Sequence, residues 1–228
     1  MLSICIPIYN FDCSKLVEDL LKQADYLKED IEIIVIDDAS TSEFQQKQKT
    51  LETKVHFIQL KENIGRSKIR NLLAQKASHS YLLFIDGDST VIADDFLKKY
   101  IDILSMHPLK GVICGGSIYQ EKSPEKEYFL RWKYSKSRER KSDGFFNKHP
   151  YQSFTTNNFI IDKETFQSIL FDERIKEYGH EDTLFGYELM KKKIAIQHVE
   201  NVVLNGDLDT NEEYLAKVRL SIANLLKI

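Results

Sequence analysis

Apolar positions along the chain switch repeatedly between two periods. Ile4-Cys5-Ile6-Pro7 is a short apolar run stopped by proline, after which Leu16, Val17, Leu20, Leu21, Ala24 and Leu27 recur at the spacing of one helix face. Ile31-Glu32-Ile33-Ile34-Val35-Ile36 is β-branched and nearly continuous, as a central parallel strand covered on both faces should be. A helix-compatible stretch follows. Val55-His56-Phe57-Ile58 reads as a third strand, 67–77 as a helix, and Tyr81-Leu82-Leu83-Phe84-Ile85 as a strand that stops abruptly at Asp86-Gly87-Asp88. Strict alternation of strand and helix predicts an α/β protein built on an open, mostly parallel sheet flanked by helices.

The second half carries a weaker pattern. A helix over 95–104 precedes a glycine-bounded strand, Gly111-Val112-Ile113-Cys114-Gly115-Gly116. Residues 119–151 show little periodicity and much charge. Asn158-Phe159-Ile160-Ile161 restores a strand, a short helix begins near Asp162, and Tyr178-Gly179-His180-Glu181-Asp182 opens a further helix. Ile194-Ala195-Ile196 is another strand. Thr210-Asn211-Glu212-Glu213 has the capping-box pattern and starts a last helix with Tyr214, Leu215, Val218, Ile222 and Leu225 on one side.

Composition narrows the classes. With 228 residues, 42% hydrophobic and 29% charged, the chain is long enough to bury a core without metal or disulfide staples. Cys5, Cys13 and Cys114 are odd in number and have no CxxC spacing, so they read as buried or idle thiols. A formal charge of −3 removes the global attraction expected of a nucleic-acid binder. The sequence has no stretch approaching the ~20 apolar residues of a membrane span, and Met1-Leu2-Ser3-Ile4-Cys5-Ile6 lacks the basic opening of a signal peptide. A cytosolic protein is the expectation.

Open α/β sheets bind ligands beyond the carboxyl ends of their strands. Three such ends are polar here: Pro7-Ile8-Tyr9-Asn10, Asp37-Asp38-Ala39-Ser40 and Asp86-Gly87-Asp88-Ser89. Each alone is also an ordinary turn composition, but their recurrence at one rim marks a site. Asp86 and Asp88 repel one another unless a cation lies between them or they face solvent. A hard divalent cation, Mn²⁺ or Mg²⁺, would keep positions open for diphosphate oxygens. The chain has neither a P-loop lysine motif nor a GxGxxG after a strand. Within the aperiodic segment, Arg131, Lys133, Lys136, Arg138, Arg140 and Lys141 alternate with Trp132 and Tyr134, a basic stretch with stacking groups for a sugar, a phosphate or an anionic membrane surface.

Taken in order, Ile6-Pro7-Ile8-Tyr9-Asn10, Ile36-Asp37-Asp38-Ala39-Ser40, Glu62-Asn63-Ile64-Gly65-Arg66-Ser67 with Arg70-Asn71, Phe84-Ile85-Asp86-Gly87-Asp88, Thr156-Asn157-Asn158-Phe159 and Gly179-His180-Glu181-Asp182 resemble the family 2 glycosyltransferases of GT-A fold, and a bacterial branch in particular. The resemblance implies a single domain, 1–228, with a nucleotide-sugar-binding half (1–115) and an acceptor-binding half (116–228). It implies that Pro7 and Tyr9 line the base pocket beside Asn10, that Asp38 accepts a bond from a uracil ring N–H, and that Gly65, Arg66 and Arg70 approach the nucleotide sugar. Asp86 would contact ribose or metal and Asp88 would ligate the metal. Asn157, Asn158 and His180 belong to the implied substrate-binding set, and Asp182 is the implied general base with Glu181 the second candidate.

The implied reaction is inverting transfer from a UDP-sugar to a hydroxyl of a saccharide or lipid-linked acceptor, in surface-polysaccharide synthesis at the inner face of the membrane. One position departs from the pattern. Asn205 stands where the family often supplies a metal-ligating histidine, and His198, seven residues earlier, reads first as a packed or surface histidine and only second as a ligand. A sugar-nucleotide nucleotidyltransferase and a degenerate, non-catalytic nucleotide-sugar-binding subunit are the alternatives.

Overall fold

Alternate residues of the first strand feed two cores. Leu2, Ile4 and Ile6 join Leu16, Val17, Leu20, Phe96, Leu97 and Tyr100 on one face of the sheet. Cys5 joins Ile34, Ile36, Ile69, Leu73, Phe166, Phe185 and Leu189 on the other. A computed structural model describes residues 1–106, 109–139, 145–175, 178–206 and 208–225. The chain runs β1 (Leu2–Ile8), α1 (Ser14–Leu27), β2 (Ile31–Asp37), α2 (Ser42–Gln48), β3 (His56–Gln59), α3 (Arg66–Lys76), β4 (Tyr81–Ile85), β5 (Thr90–Val91), α4 (Phe96–Met106), β6 (Val112–Cys114) and β7 (Ser117–Ile118). It continues through α5 (Phe129–Glu139), α6 (Phe145–Lys148), β8 (Asn158–Asp162), α7 (Lys163–Ile169), α8 (Glu181–Lys191), β9 (Ile196–His198), β10 (Val203–Leu204) and α9 (Asn211–Leu225).

Among the described residues the main sheet has seven strands in the order β3-β2-β1-β4-β8-β6-β9, and a small rim sheet is ordered β5-β10-β7. All main-sheet strands run parallel except β8, which is antiparallel to both β4 and β6. The chain winds outward from β1 through β2 to β3, then returns to set β4 on the other side of β1. The carboxyl ends of β1 and β4 therefore flank a topological switch point, where open α/β sheets leave a ligand crevice. There the two loops touch: a Cβ on Gly87 would meet Ile8 Cγ2 at 2.3 Å, so only glycine fits beside the end of β1.

Several local expectations hold in detail. Asp162 caps α7 by accepting from Thr165 N at 2.8 Å, and Thr210 and Glu213 exchange the reciprocal bonds of a capping box at the start of α9. Cys5, Cys13 and Cys114 are buried free thiols, and burial pushes the Cys13 thiol up to about 12.

Three expectations need correction. The strand placed at 194–196 lies at Ile196–His198, because Lys193 takes a left-handed φ of 56° and Ile194 N still bonds back to Leu189 O of α8. The aperiodic segment holds α5 and α6, helices whose packing is largely aromatic rather than aliphatic. Phe129 lies 5.7 Å from Trp132, and Tyr134 lies 5.9 Å from Tyr214 of α9. The apolar side of α9 is not its core side, since Leu215, Ile222 and Leu225 are about half exposed while Asn224 is buried. Arg140, Lys141 and the side chain of Arg138 lie outside the described residues. Among the described residues, no helix is long and apolar enough to cross a membrane.

Candidate active site

The loop after β1 is tied to the loop after β2. Asn10, at a left-handed φ of 50°, donates its backbone N–H to Ser40 Oγ at 2.8 Å and accepts from Thr41 N at 2.9 Å. Tyr9 stands at the rim with 55% of its surface exposed, and Pro7 is partly covered at the end of the strand. Asp38 is buried. Its Oδ1 accepts from Ile64 N at 2.7 Å and its Oδ2 from Gly65 N at 3.1 Å, so the carboxylate fixes the turn that launches α3. Burial raises its pKa; the two backbone bonds pull it down and the charge of Asp37 pushes it up again. Gly65, at φ 84°, caps the helix that follows.

That helix joins the two carboxylate motifs. Arg70 is 2% exposed; its Nη2 lies 2.6 Å from Asp86 Oδ1 and its Nη1 lies 3.8 Å from Glu181 Oε1. One turn earlier, Arg66 places Nε 2.8 Å from Glu181 Oε1 and lies 5.1 Å over the Tyr178 ring. Ser67 and Asn71 bind the segment leading to α8, through Ile175 O at 3.2 Å and Phe171 O at 3.0 Å. The end of β4 and the start of α8, about a hundred residues apart in sequence, are thus held by the polar side chains of α3.

Glu181 is 5% exposed and engaged with two guanidinium groups. Burial pushes its carboxyl up, but Arg66 and Arg70 outweigh that and hold it below the usual carboxylate range. Asp182 behaves in the opposite way: burial first and the Glu181 charge second raise its pKa, while Thr183 and Arg66 pull the other way. It is partly exposed and accepts from Thr183 N at 2.7 Å. A partly exposed carboxylate with a raised pKa is suited to take a proton, whereas one neutralised by two guanidinium groups is suited to hold structure. His180 adopts a left-handed φ of 69° and sets Nδ1 3.4 Å from Thr183 Oγ1.

The remaining expected residues divide between rim and interior. Asn157 is partly exposed beside Asp86, whose N–H it accepts at 3.3 Å. Asn158 is fully buried: its Oδ1 accepts from Tyr100 at 2.7 Å, and its Nδ2 donates to Gly116 O and Asn201 O at 2.9 and 2.8 Å. Its amide is consumed in joining β8 to the β6–β7 turn and the β9–β10 connection, leaving nothing to offer a ligand. His198 stacks on Phe146 at 5.5 Å and sets Nε2 3.1 Å from Pro150 O, contacts with the α6 region rather than with Asp86 or Asp88. Asn205 accepts from Gly206 N at 3.1 Å and donates to the Tyr119 hydroxyl. A Cβ on Gly206 would clash with Asp88 O, so this loop lies directly against the Asp88 backbone.

The donor set at the switch point suits a hard divalent cation. The Asp88 carboxyl is pushed up to about 6, by burial first and by the Asp86 charge next, against the pull of Arg66 and Lys217. A cation shared by the two carboxylates would relieve both causes. Among the described residues no group of three or more His, Cys, Asp or Glu side chains is placed to hold a metal, so the protein offers two carboxylates and leaves other positions to ligand oxygens and water.

The sequence profile described as glycosyl transferase family 2 matches residues 3–169. The chain belongs to that family. Among curated proteins it is similar to the poly(ribitol-phosphate) β-N-acetylglucosaminyltransferase TarS of Staphylococcus aureus (strain Mu50), at 28% identity over 137 residues covering 54% of this chain and 24% of that protein. The family 2 chain thus spans about a quarter of that relative's length. Among solved structures it resembles TarS 1–349 in complex with UDP-GlcNAc, with a TM-score of 0.61 and 20% identity over 96% of this chain and 64% of that one. It also resembles glucosyl-3-phosphoglycerate synthase from Mycobacterium tuberculosis in complex with Mn²⁺, uridine diphosphate and glucosyl-3-phosphoglycerate, with a TM-score of 0.62 and 17% identity over 100% and 79% of the two chains. These likenesses establish the GT-A fold.

Sequence reasoning missed Tyr119, Tyr178 and Lys217. They lie between recognisable motifs and gain meaning only when α9 folds back: Lys217 sits 5.3 Å over the Tyr178 ring, and Asn224 donates to Tyr178 O at 3.1 Å.

Proposed function

We propose that this family 2 chain is an inverting glycosyltransferase that moves a sugar from a UDP-sugar to a hydroxyl of a saccharide or lipid-linked acceptor, in the synthesis of a cell-surface polysaccharide. The Arg70 bridge carries the reading: a buried guanidinium joins Asp86 to Glu181 and so holds the cation-suited pair close to Asp182. A UDP-sugar is supported by relatives whose complexes contain UDP-GlcNAc or UDP. A polymeric, hydroxyl-rich acceptor is supported by the poly(ribitol-phosphate) named for TarS.

In this reading residues 1–115 hold the donor and 116–228 the acceptor, and the enzyme works in the cytosol at the inner face of the membrane. Tyr9 offers its exposed ring to uracil beside Pro7. Asp38, its plane fixed by the amides of Ile64 and Gly65, accepts the uracil ring N–H. Asp86 and Asp88 would hold Mn²⁺ or Mg²⁺, which when bound offsets charge on the departing diphosphate. Arg66, one-third exposed, adds positive charge on the same side. The partly exposed Asp182 takes the proton of the acceptor hydroxyl as that oxygen attacks the anomeric carbon opposite to UDP, which inverts the centre. Glu181 serves as counter-ion to Arg66 and Arg70. The Asn205 amide is built into the loop between Tyr119 and Gly206, so its presence is no sign of a decayed site.

The test is a thermal-shift panel of UDP, GDP, CDP and dTDP, each with and without Mn²⁺. Binding to the native state adds RT ln(1 + [L]/Kd), about 2.7 kcal/mol at a hundredfold excess over Kd. UDP with Mn²⁺ is expected to raise the melting temperature most and to be hydrolysed slowly from its matching donor. Equal shifts from all four nucleotides would remove the assigned base pocket.

A further inference from the structure

Arg131 takes no part in the donor-side network. It stands half-buried on α5, its guanidinium carbon 5.9 Å from the centre of the Tyr119 ring and 5.5 Å from that of Tyr214, and its Nη2 donates to the Tyr119 hydroxyl at 3.1 Å. Asn205 donates to that same hydroxyl, and the next residue, Gly206, packs on the Asp88 backbone. The Arg131–Tyr119 unit therefore borders the Asp88 loop. The charge of Tyr178, four residues ahead of Asp182, also reaches Arg131, and Lys217 lies over the Tyr178 ring.

The other cations around the site have carboxylate partners. Arg66 and Arg70 meet Glu181 and Asp86, Lys217 meets Asp209, and Lys136 meets Glu121. Arg131 differs: among the described residues its contacts are rings and phenol oxygens, with no carboxylate within salt-bridge distance. The charge of Asp209 reaches it, but that carboxylate is bonded to Lys217. A guanidinium held between two tyrosines, with N–H donors to spare and no carboxylate within salt-bridge distance among the described residues, is arranged to receive a planar pair of oxyanion oxygens with little further loss of side-chain freedom.

We propose that Arg131, held by Tyr119 and Tyr214, binds a phosphate group of the acceptor, so that the acceptor is a phosphate-bearing hydroxyl compound. This rests on the glycosyl-transfer reading above. The donor diphosphate already has the Asp86–Asp88 cation site and Arg66, whereas Arg131 belongs to the other half of the chain and feels the charge of Tyr178, the residue just ahead of the Gly179–Asp182 turn. A phosphate anchored there would turn a hydroxyl of the same molecule toward the base.

The experiment titrates sn-glycerol 3-phosphate by calorimetry into protein saturated with UDP and Mg²⁺ at low salt, and separately titrates UDP. The parent is expected to bind the probe, and Arg131→Gln to weaken it by about tenfold or more, the size of one lost charged contact. UDP affinity should stay within about twofold of the parent, as for independent sites. Tyr119→Phe keeps the ring but frees the guanidinium, and should weaken the probe by a smaller factor. Equal probe affinity in Arg131→Gln overturns the proposal, as does an equal loss of UDP affinity, which would assign Arg131 to the donor diphosphate. Should Arg131→Gln fail to fold by circular dichroism, Arg131→Lys carries the test, and undiminished affinity there overturns it. If UDP itself does not bind the parent, the glycosyl-transfer reading falls; if UDP binds and glycerol phosphate does not, only this proposal falls.

Discussion

Replacing Glu181 by glutamine separates a structural carboxylate from a catalytic one. At an effective dielectric of about 20, charges 2.8 and 3.8 Å apart attract by about 6 and 4 kcal/mol before desolvation is charged against them, which ranks the Arg66 contact above the Arg70 contact. Removing one partner of a buried pair typically costs 3–5 kcal/mol, because the other charge is left uncompensated. Here Arg70 keeps Asp86 at 2.6 Å and Arg66 is 38% exposed, so the loss belongs at the lower end, about 3 kcal/mol. For a chain of this size that lowers the melting temperature by about 6–12 °C. Asp182→Asn should melt within a degree or two of the parent, since an amide oxygen still accepts from Thr183 N, yet lose about 10²–10⁴-fold in transfer. Glu181→Gln also removes the charge that raises the Asp182 pKa, so the acid limb of its pH–rate profile should move to lower pH. Scanning calorimetry and UDP release from donor and acceptor across pH 4–8 read all three effects. An unshifted melt in Glu181→Gln, or full transfer by Asp182→Asn, would refute the division of roles.

Asp88→Asn removes one of two carboxylates at the switch point, and should abolish most of the strengthening that Mn²⁺ gives to UDP binding by calorimetry while leaving metal-free UDP binding intact. Gly179→Ala forces a side chain onto a residue at φ 101°, with Ser221 Cβ 2.5 Å away; a loss of about 1–3 kcal/mol in urea melts is expected, with displacement of the Glu181–Asp182 turn reported by lower turnover at saturating donor. Burial pushes the Glu32 carboxyl up, but bonds from Ser3 and Ser78 and the neighbouring His79 leave it below its ordinary value. Its stabilisation is thus present above about pH 4.5 and lost as pH falls through the lower folded value, and Glu32→Gln should flatten the acid side of the stability–pH curve in that window.

The first half of the fold was legible because each strand there is a run of apolar residues bounded by turn chemistry, and each helix exposes one polar side. The Ile4-Cys5-Ile6 alternation even reports the two cores, which the sheet divides residue by residue. The second half was legible only where caps are written locally, as at Asp162 and Thr210. Helix α5 hid from a periodicity reading because its packing is carried by Phe129, Trp132 and Tyr134 against other rings. Such rings reach across a helix face without a strict aliphatic stripe. Helix α9 misled for the converse reason. Its clear apolar side stays in the open, while a buried asparagine, Asn224, holds it to the backbone of Tyr178 and Gly179.

The same contrast runs through the site. Motif spacing located carboxylates, glycines and arginines, but a motif cannot say whether a polar atom is already spent. Asn157 and Asn158 are neighbours of identical type, yet Asn157, just ahead of β8, stays partly exposed, while Asn158, the first residue of the strand, is buried where Tyr100, Gly116 and Asn201 use its whole amide. Glu181 and Asp182 are likewise adjacent carboxylates, and only the partners arriving from α3 make the first a counter-ion and leave the second partly exposed without a guanidinium of its own. Residues such as Arg131 are the hardest case, because their significance is a missing partner. A charge run in sequence looks like a solvated face. Folding pairs Lys136 with Glu121, sets Lys133 over Phe129 and leaves Arg131 among neutral rings at the edge of the crevice. Among the described residues Arg131 has no carboxylate within salt-bridge distance, which leaves its guanidinium available to an anionic ligand.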